Sequence, residues 1–121
     1  MIFSPRIFSE HKNNALPYIE NQRKAHRLYG GAVITPDNDP FIRVITVEFY
    51  RTRVKWLCIV TVETHEDGAT TVEAKHHRMA DALYLALHDA GIQLSHEECG
   101  NDIYDNFSWV SLDDIHTFGR I

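Results

Sequence analysis

Residues 96–99 read His-Glu-Glu-Cys, with Asp102 close behind them and His116 further along the chain. These residue types include every ligand that zinc uses in proteins. Their spacing matches no established metal motif, because the sequence has no CxxC pair, no HExxH helix and no twelve-residue calcium loop. We favour an ordinary polar loop for this segment. We therefore predict no metal ion and no other cofactor, while a small metal-dependent enzyme between His96 and His116 stays an alternative.

His96 and Cys99 also have the residue types of a nucleophilic pair, in which an imidazole activates a thiol. A working pair needs an oxyanion pocket and a group that orients the base, and the sequence identifies neither. No glycine-rich phosphate loop follows a predicted strand, since Gly30 and Gly31 come after a predicted helix. We predict no catalytic residues and favour a non-enzymatic protein.

A basic cluster of two histidines, a lysine and an arginine lies where a predicted strand meets the main predicted helix. Positive charge at a helix N-terminus opposes the macrodipole, and a locally unfavourable feature can mark a site. Together with Arg43 and other basic residues on neighbouring strands, the cluster is a candidate phosphate-contacting patch. The alternative is a solvated sheet edge whose charges discourage aggregation. The candidate nucleic-acid-binding residues are Arg51, Arg53, Lys55, Lys75, His76, His77 and Arg78.

All of the net negative charge lies in the last third of the chain. Residues 1–88 carry eleven Lys/Arg against ten Asp/Glu, whereas residues 89–121 carry one against seven, a balance of +1 followed by −6. Apolar and aromatic residues are interleaved with these carboxylates, so the segment can fold and present an anionic face. Such a face predicts a basic protein partner. The predicted partner-binding residues are Glu97, Glu98, Asp102, Tyr104, Asp105, Trp109, Asp113 and Asp114.

Length and composition indicate one domain over residues 1–121 with one hydrophobic core. No apolar run is long enough for a membrane span and no secretory signal is present, so we expect a cytoplasmic protein without membrane contact. Cys58 lies in an apolar strand pattern and Cys99 in a polar loop, which predicts two free thiols. Exposed edge strands leave both a monomer and a homodimer open.

The elements that must position these side chains follow from hydrophobic periodicity. Asn13 and Asn14 can cap a helix over 15–29, which the pair Gly30-Gly31 ends. From there the pattern has period two and is rich in Val, Ile and Thr, which indicates strands. The predicted strands cover residues 32–35, 41–51, 53–64 and 70–76.

A main helix is predicted over 78–90, where Ala and Leu side chains form one apolar stripe and Gly91 follows as the stop. A short strand at 107–110 and a short helix at 112–118, capped by Ser111, end the chain. We expect an α+β fold, with an antiparallel three- to four-stranded meander, an N-terminal helix and a main helix after the sheet packed on one face, and a short C-terminal strand or helix.

No motif fixes a function. The charge pattern favours a small protein-binding module whose acidic-aromatic C-terminal surface engages a basic site on a partner, including a site that normally holds nucleic acid. Inhibitors and accessory factors of phages or mobile elements have this size and lack of motifs. The alternatives are a nucleic-acid-binding domain that uses the basic patch and the metal-dependent enzyme.

Overall fold

The computed structural model describes residues 17–66, 68–92, 103, 107 and 109–121. In chain order these residues form two helices and five strands, with a 3-10 turn at Leu112–Asp114 before the last strand. This is the expected α+β fold. The elements are α1 (17–25), β1 (Leu28–Ile34), β2 (Ile42–Arg51), β3 (Trp56–Thr64), β4 (Gly68–His76), α2 (Met79–Asp89) and β5 (Ile115–Gly119).

The five strands form one antiparallel sheet in the order β4-β3-β2-β1-β5. The meander from β1 to β4 is confirmed, and each of its hairpins keeps a regular register through the apolar middle of the strands. Val47 of β2 lies opposite Val60 of β3, which lies opposite Val72 of β4. β5 returns along the chain to pair with the outer side of β1. The sheet therefore has one strand more than the meander alone.

The helix predicted over 112–118 is wrong beyond its first turn. Ser111 does act as a cap, because its Oγ accepts a hydrogen bond from the backbone N–H of Asp113 at 3.3 Å. The chain then leaves the helical path, and Ile115 to Gly119 pair with the edge of β1, which would otherwise expose unpaired backbone groups. The described residues of the segment predicted as a strand over 107–110 are not in a strand: Phe107 lies in a 3-10 turn, Trp109 in a turn and Val110 in a bend.

The two helices cover opposite faces of the sheet, whereas the sequence placed them on one. Leu83 and Leu87 of α2 belong to the main core with Val60 of β3. Ile19 of α1 instead packs over the other face in a separate cluster with Tyr50, Leu57 and Ile59. β3 is apolar on both faces, so each face needs its own cover. No helix in the described part of the chain has the length and apolarity needed to cross a membrane.

Gly30 and Gly31 do not end a helix but lie inside β1. A Cβ on Gly31 would be 2.0 Å from the backbone oxygen of Val47 and 2.5 Å from a ring atom of Phe118. The aromatic ring of β5 thus lies directly over the glycine of β1 with which it is in register. Glycine in a strand interior marks such a close approach. The predicted stop of α2 is confirmed, because Gly91 has a φ of 81° directly after the helix.

Cys58 lies in the main core with no exposed surface, and its thiol is free. Burial raises the pKa of the Cys58 thiol well above its usual value, which keeps the sulfur protonated and unreactive. Cys58 therefore acts as a small apolar core residue. Cys99 lies outside the described residues.

Candidate functional sites at the two ends of the sheet

Antiparallel strands place successive turns at opposite ends of the sheet. The β1–β2 turn, the β3–β4 turn and the segment that leads into β5 lie at one end, which we call the acidic end. The start of β1, the β2–β3 turn, the junction of β4 with α2 and the end of β5 lie at the other, which we call the basic end. The acidic end carries Asp37, Asp39, Glu66, Asp113 and Asp114, and the basic end carries Arg27, Arg51, Arg53, Lys55, Lys75, Arg78 and Arg120.

The acidic end contains a depression of about 450 Å³ between the turn at 36–40 and the segment 109–114. Hydrogen bonds from backbone N–H groups hold both walls in place. Asp39 Oδ1 accepts from the N–H groups of Phe41 and Ile42, each at 2.8 Å, which fixes the turn. The Thr35 N–H donates to the carbonyl of Asp114 at 2.9 Å and joins the two walls. The site is thus built on ordered backbone.

Three carboxylates line this depression without being used by the turn geometry. Asp37 and Asp113 are exposed and Asp114 is half-buried, and within the described residues none of the three forms an ion pair. Trp109 lines the same depression and is 36% exposed. Leu112 is 65% exposed in the adjacent 3-10 turn. Unpaired anions and exposed apolar surface therefore lie side by side.

The fold brings together three of the predicted partner-binding residues, Trp109, Asp113 and Asp114. The other five, Glu97, Glu98, Asp102, Tyr104 and Asp105, lie outside the described residues. Sequence reasoning missed Asp37 as a member of the site and treated it as a turn residue. The missing signal was the strand count, because the β1–β2 turn and the start of β5 must share an end of an antiparallel sheet.

At the basic end, the β2–β3 turn projects two cations beyond the sheet. The Thr52 N–H donates to the carbonyl of Lys55 at 2.9 Å, and the Lys55 N–H donates to Thr52 Oγ1 at 3.0 Å. These bonds close a tight turn with Arg53 at its tip. In register across three strands, Arg51 lies beside Trp56, which lies beside His76.

Two aromatic rings support the arginines of the basic end. Trp56 and Tyr29 pack edge to face, with ring centroids 4.8 Å apart. The guanidinium of Arg51 lies 4.9 Å from the Trp56 ring centroid, and that of Arg120 lies 6.0 Å from the Tyr29 ring centroid. The Arg120 N–H also donates to the carbonyl of Tyr29 at 3.1 Å, which ties the end of β5 to the start of β1. Stacking leaves the guanidinium N–H groups free to bind a ligand.

All seven predicted nucleic-acid-binding residues lie at the basic end: Arg51, Arg53, Lys55, Lys75, His76, His77 and Arg78. Arg43, which the sequence grouped with them, lies toward the acidic end instead, where it pairs with Glu63 at 2.8 Å. Arg27 and Arg120 were missed, because their strands were assigned wrongly at the start of β1 and in β5. Asp81 is the carboxylate that faces this cluster, 3.4 Å from Arg78 Nε and 3.5 Å from His76 Nδ1.

A polar network lies between the two ends, under α1. Arg23 donates two hydrogen bonds to Glu48, at 3.0 and 2.8 Å, and the Tyr50 hydroxyl donates to the same carboxylate at 2.6 Å. The hydrogen bonds to Glu48 raise the pKa of Arg23. Burial, followed by the bond to Glu48, raises the pKa of Tyr50. Every charge in this network has a partner, so we assign it to the attachment of α1 rather than to ligand binding.

Of the candidate metal ligands considered in the sequence, His116 lies in the described part of the chain. His96, Cys99 and Asp102 lie outside the described residues, and His116 is exposed on β5. Among the residues that are described, no three His, Cys, Asp or Glu side chains are placed to hold a metal ion. Comparison with protein-family models, with curated proteins and with solved structures found no match to this chain.

Proposed function

We propose that the protein is a non-enzymatic binding module whose acidic end receives a basic side chain from a partner protein. The observation that carries this proposal is the depression at the acidic end, where Asp37, Asp113 and Asp114 lie around Trp109 without an ion pair to any described residue. An arginine or lysine inserted there meets carboxylates and an aromatic face together. Both interactions favour a cation over a neutral group.

The surroundings of the depression support a protein rather than a small cation as the ligand. Phe41 and Leu112 are each 65% exposed beside it. A free metal or ammonium ion would leave this apolar surface in water, whereas a protein partner can cover it and gain the hydrophobic contribution. The partner surface that fits is therefore a basic residue flanked by apolar side chains.

The charge of the whole chain supports the same assignment. The protein carries a net charge of −5, which speeds the approach of a basic partner, and the unpaired carboxylates at one end direct its orientation. A protein site that normally holds nucleic acid has this complementary charge. The role of an inhibitor or accessory factor that occupies such a site in the cytoplasm, including one encoded by a phage or mobile element, is part of this proposal.

An arginine-rich peptide tests the depression directly, with binding followed residue by residue in NMR spectra of the labelled protein. We expect shifts at the Trp109 indole and at the backbone amides of 37–39 and 109–114. The variant Asp37→Asn/Asp113→Asn removes two surface ion pairs of about 0.5 kcal/mol each, so the affinity should fall about fivefold. The unmodified protein and this variant can also be compared as baits in pull-downs from native cells.

The matched control is Glu20→Gln/Asp81→Asn, which changes the net charge equally and leaves the acidic end intact. It should bind the peptide about as well as the unmodified protein. Shifts spread over both ends, or equal weakening in the two variants, would mean that only net charge matters and would contradict the proposed site.

A further inference from the structure

We propose that the basic end is a second, independent binding surface, and that it takes the phosphate backbone of double-stranded nucleic acid without sequence preference. This inference does not depend on the acidic end having a partner. It rests on three observations about the described residues. These are the cations that have no ion-pair partner, the spacing that the sheet gives them, and the arginines that lie over the aromatic rings.

The first observation is the distribution of ion pairs. Away from the basic end, Arg23 pairs with Glu48 and Glu20, and Arg43 pairs with Glu63. At the basic end only Arg78 has a carboxylate, Asp81, within the described part of the chain. Six cations there have none: Arg27, Arg51, Arg53, Lys55, Lys75 and Arg120.

Those six are all exposed, in a protein with five more carboxylates than cations. One further lysine, Lys24 on α1, is also unpaired. Unpaired like charges repel one another, so gathering them at one end works against folding. A polyanionic ligand would relieve that repulsion. The arrangement therefore has the electrostatic form of an anion-binding surface.

The second observation is the spacing that the sheet imposes. The cations come from turns and ends of all five strands, from Lys75 near the end of β4 to Arg120 after β5. Neighbouring strands are about 4.8 Å apart, so five strands extend the row over about 19 Å. A duplex advances about 3.4 Å per base pair, and this row matches about five to six base pairs. Several phosphates can be contacted at once.

The third observation concerns the aromatic rings of Trp56 and Tyr29, since proteins that bind single strands stack bases on such rings. Each ring packs against the other, and an arginine lies over each of them, Arg51 over Trp56 and Arg120 over Tyr29. Recognition of single strands relies on free aromatic faces. Here the rings instead hold two guanidinium groups in place for phosphate oxygens. This favours duplex backbone over single-stranded bases.

The acidic end does not cancel this attraction. β2 alone has ten residues and extends about 33 Å between the two ends. Charge interactions in 0.1 M salt are screened over about 10 Å. A phosphate backbone at the basic end is therefore acted on mainly by the nearby cations, although the whole protein is anionic.

The test is fluorescence anisotropy with labelled 20-base-pair duplexes of DNA and of RNA, of mixed sequence, between 50 and 300 mM salt. We expect duplex binding in which the logarithm of the affinity falls linearly with the logarithm of the salt concentration. Each phosphate contact contributes about −0.9 to the slope, so the slope should be about −3 or steeper. The Arg53→Glu variant should bind about tenfold more weakly in 0.1 M salt, since it loses one such contact and repels the phosphate. Lys75→Glu/Arg78→Glu should weaken binding further.

Arg43→Glu is the matched control, because it makes the same change of charge at the opposite end, and it should leave the affinity within about twofold. Circular dichroism and thermal unfolding verify that every variant is folded. Two further ligands, the separated single strands and vesicles containing phosphatidylserine, complete the comparison. The proposal is overturned by any of four results: no duplex binding in 50 mM salt, equal losses in Arg53→Glu and Arg43→Glu, tighter binding to single strands, or binding to vesicles but not to duplexes.

Discussion

The two ends of the sheet are built from the same kind of turns but differ in how their charges are held. At the acidic end, Asp39 accepts the hydrogen bonds that fix the turn. Asp37 and Asp113 line the depression and form no ion pair with any described residue. At the basic end, exposed cations such as Arg53 lie along the turns and strand ends of the sheet. A depression lined by carboxylates suits a single inserted side chain, whereas a row of exposed cations suits an extended polyanion.

The comparison also shows how charge is sorted by the fold. Along the chain the net charge changes once, from +1 over residues 1–88 to −6 over residues 89–121. In the folded molecule the sign instead alternates from turn to turn, and antiparallel pairing collects equal signs at one end. Asp37 belongs to the first part of the chain and Asp113 to the last, yet they line one depression.

The largest effect should come from a change that disturbs both ends at once, and β5 joins them. Gly31→Ala places a Cβ 2.0 Å from the backbone oxygen of Val47 and against the ring of Phe118. The backbone of β1 must move relative to β2, and the Phe118 ring of β5 must move as well. The free energy of unfolding should therefore fall by about 3 kcal/mol, at the upper end of overpacking costs. Urea unfolding measures this, and both binding activities should weaken together.

Thr117→Ala, an exposed position on β5, is the control and should change the stability little. If Gly31→Ala were as stable as the unmodified protein, Gly31 would not approach Val47 of β2 and Phe118 of β5 as closely as described. The two ends would then have to be treated as separately organised surfaces.

A smaller effect should distinguish a partly buried ion pair from an exposed one, both of which lie away from the basic end. Arg23→Gln removes charged hydrogen bonds to Glu48, whose side chain is 15% exposed, and should cost about 2 kcal/mol of unfolding free energy. Arg43→Gln removes a pair in which the arginine is 60% exposed and should cost about 0.5 kcal/mol or less. Equal losses in the two variants would show that burial does not set the strength of these pairs.

The strands and the main helix were predictable because their signals are local. Alternation along β2 to β4 and the apolar stripe of α2 each depend on residues close in sequence. β5 could not be predicted in this way, because Ser111 is a helix cap and the local sequence therefore predicts a helix. The segment forms a strand because it pairs with the edge of β1, which is distant in sequence. The prediction that Gly30 and Gly31 end a helix was wrong for the same reason, since their role depends on the close approach of Phe118.

The candidate sites were predictable in part. The basic cluster was found because its members lie in two adjacent hairpins, but Arg120 required the position of β5. The acidic end was found through Trp109, Asp113 and Asp114, whereas Asp37 required the number of strands between them. In both cases the local sequence does not show at which end of the sheet each turn lies. That assignment requires the complete strand order.

The smallest expected effect sharpens the contrast most directly, because it has the opposite sign. Arg53 and Lys75 have no carboxylate partner among the described residues, so neutralising them removes repulsion and no attraction. Arg53→Gln/Lys75→Gln should therefore raise the free energy of unfolding by a few tenths of a kcal/mol in 20 mM salt. The gain should vanish in 0.5 M salt, where such interactions are screened, as urea unfolding at the two salt concentrations would show. A loss of stability, as in Arg23→Gln, would instead mean that the basic end helps to hold the fold together. The proposal that its charges are kept for a ligand would then lose its main support.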